Sequence, residues 1–165
     1  MDNSLFNFFY KLSSVDFWAS LSLYFSYELT YFFIFLIVIW ALMQKGARMY
    51  TFSLCFVSSL SAWVVARGLK MLFQINRPFI EYNITPLFEE TGYSFPSEHM
   101  AVLSAFSFVV YGFNKKIGIG LFIFTVIVGI SRMVIGVHYP IDVITGIVVG
   151  VGIAYFIKKI FQKTK

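Results

Sequence analysis

The sequence predicts an all-α membrane protein, a single bundle of five to six helices that crosses a lipid bilayer. Of the 165 residues, 59% are hydrophobic and 13% are charged, and the mean hydropathy is +0.79. Several apolar runs approach or exceed the ~18–20 residues that a helix needs to cross the core of a bilayer. The runs are continuous instead of alternating, which disfavours a strand-based membrane protein. The length predicts one domain, residues 1–165.

The apolar runs and the polar segments between them predict the helices in chain order. Residues 1–23 mix aromatic side chains with polar ones, which is typical of an amphipathic helix in the membrane interface; insertion as a sixth span is the alternative. The predicted spans cover residues 24–43, 49–70, 99–113, 117–135 and 141–157. Residues 74–98 form the longest polar segment. Three glycines of the last span, Gly146, Gly150 and Gly152, are expected to allow close approach of another helix.

Two further features limit the function classes. Cys55 is the only cysteine and lies inside an apolar run, so neither an internal disulfide nor a cysteine-based metal site is expected. The first residues lack a basic leader followed by a cleavable apolar core, so no signal peptide is predicted.

The charged residues are divided between the two sides of the predicted bundle. Eight basic residues fall on alternate connections and on the tail, with no acidic residue on that side: Lys45, Arg48, Lys115, Lys116, Lys158, Lys159, Lys163 and Lys165. Positive charge marks the cytoplasmic side, so the C-terminus is predicted to be cytoplasmic. All eight acidic residues then lie on the outer side. The net charge of +5 therefore needs no nucleic-acid partner.

A first polar cluster, Lys70 and Arg77-Pro78, ends the second predicted span. A spacing of seven residues places Lys70 and Arg77 on one face of a helix, and Pro78 helps to end that helix. Arg67 lies three residues before Lys70 and either extends the basic face or anchors the helix in the interface. Snorkelling of long cations at a membrane surface is the simpler explanation of the cluster.

A second polar cluster, Pro96-Ser97-Glu98-His99, precedes the third predicted span. Ser97 is a natural N-cap for that helix, and the backbone N–H groups behind it form an anion site. His99 would lie in the first turn beside this site. A helix cap with an incidental histidine is the alternative.

A third polar cluster lies between Ser131 and Asp142, in the stretch SRMVIGVHYPID. Arg132 supplies a planar fork of donors that suits phosphate or carboxylate. His138 and Asp142 are four residues apart, and Pro140 sits where a helix would begin. A carboxylate one turn from a histidine can fix its tautomer and stabilise its cation. A polar loop at the membrane surface would also explain this stretch.

The three clusters together predict one pocket on the outer side. Three cations and a helix N-terminus that converge with the chain's two histidines are typical of a phosphate site with a nucleophile and an acid. No cluster of His, Asp and Glu suggests a metal site, so neither a metal nor another cofactor is predicted.

In order and spacing, the three clusters resemble the signature of the type 2 phosphatidic acid phosphatase (PAP2) superfamily of metal-independent membrane lipid phosphatases. The resemblance covers residues 70–142 and is strongest for the undecaprenyl-diphosphatase branch. Glu98 departs from the pattern, because it stands where the family usually has glycine between the serine and the histidine. We treat Glu98 as a candidate substrate-modulating residue and expect it to pair with a basic neighbour or to contact water.

The resemblance implies a role for each signature residue. His138 would attack phosphorus and form a phosphohistidine, while Asp142 orients its imidazole. His99 would protonate the leaving oxygen and then activate water. Four residues would bind the phosphoryl oxygens: Lys70, Arg77, Ser97 and Arg132.

The resemblance also implies a substrate and a location. The predicted reaction converts undecaprenyl diphosphate to undecaprenyl phosphate and phosphate, at the periplasmic or exterior face of the bacterial cell membrane, and so recycles a cell-wall carrier. Five aromatic residues are candidates for a mouth open to lipid: Phe73, Phe79, Tyr93, Phe95 and Tyr139. Phosphatidylglycerophosphate, phosphatidate or a lipid A phosphate are alternative substrates. An anion transporter or channel is the non-enzyme alternative, although it predicts ionisable residues near mid-span.

Overall fold

The computed structural model describes residues 4–28 and 47–163, and every regular element within them is helical. The elements in chain order are α1 (Ser4–Lys11), a 3₁₀ turn (Leu12–Ser14), α2 (Asp16–Leu23), a π-helical segment (Tyr24–Glu28), α3 (Ala47–Phe73), α4 (Pro78–Glu81), α5 (Glu98–Phe113), α6 (Lys115–Val134) and α7 (Pro140–Lys163). The all-α prediction is confirmed. Of the predicted span 24–43, residues 29–43 lie outside the described residues.

Helices α3, α6 and α7 are long and apolar enough to cross a membrane, and α5 is a shorter apolar helix. These four helices follow the predicted spans that begin at residues 49, 99, 117 and 141. The main difference is at the end of α7, which continues past residue 157 to Lys163. Lysine favours helix almost as well as the apolar residues before it, so the change in polarity does not end the helix.

Helix α5 is central, because it packs against α3, α6 and α7. On one side, Ala101 and Ala105 join a buried cluster with Ala62 and Ala66 of α3. On the other side, Met100 and Leu103 join a second cluster with residues of α6 and α7. Small residues let helices come close, so van der Waals contact can hold the bundle where lipid offers no hydrophobic driving force.

Two of the three predicted glycine contacts are confirmed. A Cβ at Gly146 would lie 2.6 Å from the Ser97 carbonyl oxygen, and a Cβ at Gly150 would clash with the Ala101 carbonyl. The prediction for Gly152 was wrong, because nothing lies within 4 Å of the same position there. A helix turns 100° per residue, so Gly152 points about 200° away from the face that Gly150 presents to α5.

The N-terminal segment is divided, whereas one amphipathic helix over residues 1–23 was expected. Val15 has an extended backbone and separates α1 and its 3₁₀ turn from α2. Phe6 is buried and stacks on Tyr10 and Tyr82, and the Tyr10 hydroxyl donates to the Thr85 carbonyl at 2.8 Å. Helix α1 therefore packs on the loop after α4 and on α6, and α2 also packs on α6.

One end of the bundle gathers the three polar clusters. The C-termini of α3 and α6 and the N-termini of α5 and α7 meet there. Backbone hydrogen bonds tie these ends together: Ser94 N–H to Ile75 C=O at 2.8 Å, and Ser97 N–H to Asp142 C=O at 3.1 Å. At the opposite end of the bundle, the Lys158 side chain lies against Gly112.

Candidate active site

Lys70 and Arg77 of the first cluster lie near each other, but not for the predicted reason. Helix α3 ends at Phe73, and residues 74–77 are not helical, so the expectation that Lys70 and Arg77 share one helix face was wrong. Gln74 takes a positive φ of 49° as the chain leaves α3, and Arg77 has an extended backbone before Pro78 opens α4. Pro78 disfavours a helical conformation for Arg77. The turn nevertheless brings Arg77 back into the electrostatic neighbourhood of Lys70.

The Arg77 guanidinium holds the loop 82–97 in place. Its Nε donates to the Gly92 carbonyl at 3.0 Å, and Nη2 donates to the Thr91 carbonyl at 3.3 Å. Its Nη1 donates to the Val137 carbonyl at 3.0 Å, one residue before His138. Arg77 is buried, so these bonds are sheltered from water. One side chain therefore connects the end of α3, the loop and the third cluster.

His138 and Asp142 form a buried pair at the start of α7. The helix begins at Pro140, as predicted, and the Nδ1 of His138 lies 3.2 Å from Asp142 Oδ2. The backbone N–H of Tyr139 donates to the same oxygen at 2.8 Å. Burial lowers the pKa of His138 well below its usual value, and the positive charges of Arg132 and Arg77 lower it further. The imidazole is therefore neutral at pH 7.

Ser94 is a site residue that the sequence analysis missed. Its side chain is fully buried, and its hydroxyl donates a short hydrogen bond to Asp142 Oδ2. The Ser94 hydroxyl oxygen also lies 3.4 Å from His138 Nδ1. A serine in an irregular loop carries no periodic signal, and its partners lie 44 and 48 residues further along the chain.

The second cluster begins α5, as predicted, but Ser97 does not cap the helix with its side chain. Its backbone is extended at the N-cap position and its hydroxyl makes no capping bond. That oxygen is buried and has no hydrogen-bond partner among the described residues. His99 follows in the first turn of α5. It lies within electrostatic range of the charged groups of Lys70, Arg77, Glu90 and Arg132.

Glu90 is the second site residue that the sequence analysis missed. Its Oε2 lies 2.7 Å from Arg77 Nη1 and also forms a short ion pair with Nη2 of Arg132, which is fully buried. Burial alone would raise the pKa of the Glu90 carboxyl, but the charges of Arg132 and Arg77 outweigh burial and lower this pKa to about 2. Glu90 is therefore ionised at neutral pH, and it bridges two of the predicted phosphate-binding cations.

Glu98 pairs with basic neighbours, which confirms that expectation. Its Oε1 lies 3.3 Å from Arg67 Nη1 and 3.5 Å from Lys70 Nζ. The indole N–H of Trp63 donates to Oε2 at 3.1 Å. Trp63, Arg67 and Lys70 are spaced by four and three residues on α3, so they share one face of that helix. Arg67 therefore extends the basic face.

The candidate mouth residues do not form a single group. Phe73 and Phe95 contact each other edge to face, with ring centroids 5.3 Å apart. Tyr139 instead lines a cavity of about 410 Å³ together with Asp142, Ile75 and Asn76. The cavity is mainly apolar, and Phe6 of α1 forms part of its wall. Phe79 and Tyr93 are half-buried.

The structure thus brings all eight predicted site residues to one end of the bundle. A buried histidine with a carboxylate on one ring nitrogen can act as a nucleophile or a base through the other. Guanidinium groups, an ammonium group and a helix N-terminus can bind phosphoryl oxygens. Within residues 4–28 and 47–163, no group of three or more His, Cys, Asp or Glu side chains is arranged to hold a metal ion.

The model of the PAP2 superfamily matches residues 50–165, a range that contains all three clusters. The chain belongs to the PAP2 superfamily. The resemblance seen in the sequence is therefore confirmed. This membership and the similarity to two undecaprenyl-diphosphatases place the chain among the phosphatases.

Two similar proteins are named undecaprenyl-diphosphatases. BcrC of Bacillus subtilis is 28% identical over 130 residues, which is 78% of this chain and 67% of BcrC. The protein of Sulfolobus acidocaldarius is 34% identical over 124 residues, which is 66% of this chain and 59% of that protein. Among solved structures, LpxE of Aquifex aeolicus superposes with a TM-score of 0.72 over 93% of both chains at 22% identity. This last similarity shows that the two chains share a fold.

Proposed function

We propose that the protein hydrolyses undecaprenyl diphosphate to undecaprenyl phosphate and phosphate at the end of the bundle where the three clusters meet. The observation that carries the proposal is the buried His138–Asp142 pair beside Arg77 and Arg132. The similarity to two undecaprenyl-diphosphatases supports this lipid as the substrate.

In the first step, Nε2 of His138 attacks the terminal phosphorus of the diphosphate. An N–P bond forms, the P–O bond to the lipid phosphate breaks, and the protein carries a phosphohistidine. The contact of Nδ1 with Asp142 favours the tautomer whose proton is on Nδ1, which leaves a lone pair on Nε2. The lowered pKa of His138 keeps that lone pair available at neutral pH.

His99 serves as the acid and then as the base. It would give a proton to the leaving lipid phosphate and then take one from the water that attacks the phosphohistidine. Its position in the first turn of α5, at the end of the bundle that holds His138, supports this role.

The phosphoryl oxygens would be bound by Lys70, Arg77, Arg132 and the N-terminus of α5. The buried hydroxyl of Ser97 lies at that N-terminus without a partner among the described residues, so a phosphoryl oxygen could accept its hydrogen bond. These groups offset the charge that develops in the transition state, and they do so best where water is excluded.

The site end of the bundle would face the periplasm or the cell exterior, with the C-terminus in the cytoplasm. The basic residues at the α5–α6 connection and at the end of α7 support this orientation. The lipid tail would stay in the hydrocarbon while the diphosphate enters the site. Helix α1, with its exposed Leu5 and Phe8, would lie in the interface.

The test is phosphate release by the purified protein in detergent and EDTA, with a panel of polyprenyl diphosphates, phosphatidylglycerophosphate, phosphatidate and a lipid A phosphate. We expect undecaprenyl diphosphate to give the highest kcat/KM. His138→Ala should abolish turnover, and His99→Ala should nearly abolish it. Wild-type rates in His138→Ala, or a requirement for added magnesium, would refute the mechanism. A higher kcat/KM on a glycerophospholipid would refute the substrate alone.

A further inference from the structure

Glu90 holds the two guanidinium groups that the proposed function assigns to the phosphoryl oxygens. Its carboxylate lies between Arg77 and Arg132, and both ion pairs use the same oxygen, Oε2. Carboxylate and phosphate are the two anions whose geometry matches the planar fork of an arginine. We infer that the Glu90 carboxylate is a built-in competitor of the substrate's phosphoryl group, which must displace it from Arg77 and Arg132.

The loop around Glu90 is fixed on both sides, so the exchange requires only a movement of the side chain. On one side, the Leu87 N–H donates to the Ile135 carbonyl at 3.1 Å. On the other side, Thr91 and Gly92 accept hydrogen bonds from Arg77. The Glu90 side chain is itself 22% exposed. Rotation about its own bonds can therefore carry the carboxylate toward water while the loop stays in place.

The exchange keeps the buried arginines neutralised throughout. Arg132 is fully buried, and a buried cation without a counter-ion is costly. A phosphoryl group that arrives as Glu90 leaves supplies the replacement charge. Between turnovers, Glu90 thus serves as the counter-ion of Arg77 and Arg132. Because it occupies these two arginines, it weakens the apparent binding of substrate and product alike.

Competition of this kind has a quantitative consequence. The apparent Kd of any phosphate ligand equals its intrinsic Kd divided by the fraction of protein in which Glu90 is displaced. A carboxylate that occupies the arginines nine-tenths of the time weakens binding about tenfold. The fraction of protein with Glu90 displaced before a ligand binds does not depend on which ligand follows. The same factor therefore applies to inorganic phosphate and to the lipid substrate.

The experiment measures the Kd of inorganic phosphate by calorimetry on the full chain in detergent, and the KM of undecaprenyl diphosphate in the same preparations. Glu90→Gln removes the charge, and Glu90→Asp keeps the charge on a shorter side chain that cannot bridge both arginines as well. Glu89→Gln, an exposed neighbour, is the matched control. We expect Glu90→Gln to lower the phosphate Kd and the lipid KM by the same factor, about fivefold or more, with Glu90→Asp between it and the wild type.

Three results would overturn the inference. An unchanged or raised phosphate Kd in Glu90→Gln would make Glu90 a residue that positions the arginines. A wild-type Kd in Glu90→Asp would show that net charge alone matters. Failure of both variants to fold, while Glu89→Gln folds, would make Glu90 a structural counter-ion.

The inference rests on the proposed phosphate site, but phosphate binding is measured without turnover. A wild type that binds phosphate and leaves undecaprenyl diphosphate intact would therefore refute the proposed function alone.

Discussion

Two glutamates near the site each pair with two cations, in very different surroundings. Glu90 lies between the buried Arg77 and Arg132, and we call these three residues the buried charge cluster. Glu98 pairs with Lys70 and with Arg67, whose side chain is 51% exposed, and these three with Trp63 form the surface charge cluster. Attraction between charges is strong where water is excluded and weak where water and salt screen it. Changes in the buried charge cluster should therefore have large effects on protein stability and ligand binding. Changes in the surface charge cluster should have small effects on both.

Arg132→Ala should have the largest effect, because it leaves the Glu90 carboxylate with one of its two buried partners and removes a phosphate donor. We expect a loss of ~3–5 kcal/mol in the free energy of unfolding and a fall in kcat of roughly 10²–10³-fold. Thermal unfolding and phosphate release measure the two effects. Loss of activity with an unchanged melting temperature would show that the buried cluster does not stabilise the fold.

The stability of the fold in acid should test the buried charge cluster without any measurement of activity. The pKa of Glu90 is about 2 in the folded protein and about 4.5 as an ordinary glutamate, so its ionised form favours folding. This contribution is complete above pH 4.5 and is lost as the pH falls from 4.5 toward 2. The melting temperature of the wild type should therefore exceed that of Glu90→Gln at pH 6, and the difference should shrink by pH 3. A difference that stays constant over this range would contradict the assignment.

Ser94→Ala should lower kcat by about 10–100-fold with little change in KM, because the hydroxyl acts on substrate only through Asp142 and His138. Ser94→Thr, which keeps a hydroxyl, should recover most of the rate. Ser107→Ala provides the control, because Ser107 is equally buried on α5 but lies eight residues beyond His99. A rate loss shared by Ser107→Ala, or the absence of rescue by threonine, would point to packing instead of positioning.

The surface cluster should give the smallest effects. Glu98→Gly restores the residue usual in the family and removes the partner of Lys70, so we expect the lipid KM to change by about two- to fivefold. Arg67→Ala should cost less than about 1 kcal/mol in substrate binding, and salt should remove the difference. Kinetics at low and high salt measure both. Full activity and an unchanged substrate preference in Glu98→Gly would deny that residue a specific role.

The signature residues could be predicted because their information is local. The spacing of His138 and Asp142 and the proline at the start of α7 are readable within twelve residues of sequence. Arg77 does lie at the candidate site, but the predicted reason was wrong, because the helix ends at Phe73 and a spacing of seven residues no longer places Arg77 on the helix face of Lys70. The pairing of Glu98 could be predicted because a carboxylate beside an anion site is unfavourable unless it turns away or pairs with a cation.

Ser94 and Glu90 could not be predicted, because their partners are distant in the chain. The Glu90 carboxylate meets Arg132 across 42 residues, and Ser94 meets Asp142 across 48. Both lie in the irregular loop 82–97, where neither helix periodicity nor motif spacing carries information. Bonds that exist only in the folded chain, such as those from Arg77 to Thr91 and Gly92, decide which side of the loop faces the histidines.

The burial of Phe6 suggests that the part of the chain needed for function extends beyond the residues matched by the family. The family match begins at residue 50, and every signature residue follows it. The wall of the cavity beside Asp142, however, includes Leu5 and Phe6 from the first helix. A chain trimmed to residues 50–165 would keep all of the proposed chemistry and open that wall to lipid and water. We therefore expect a minimal version of this enzyme to need its N-terminal helix.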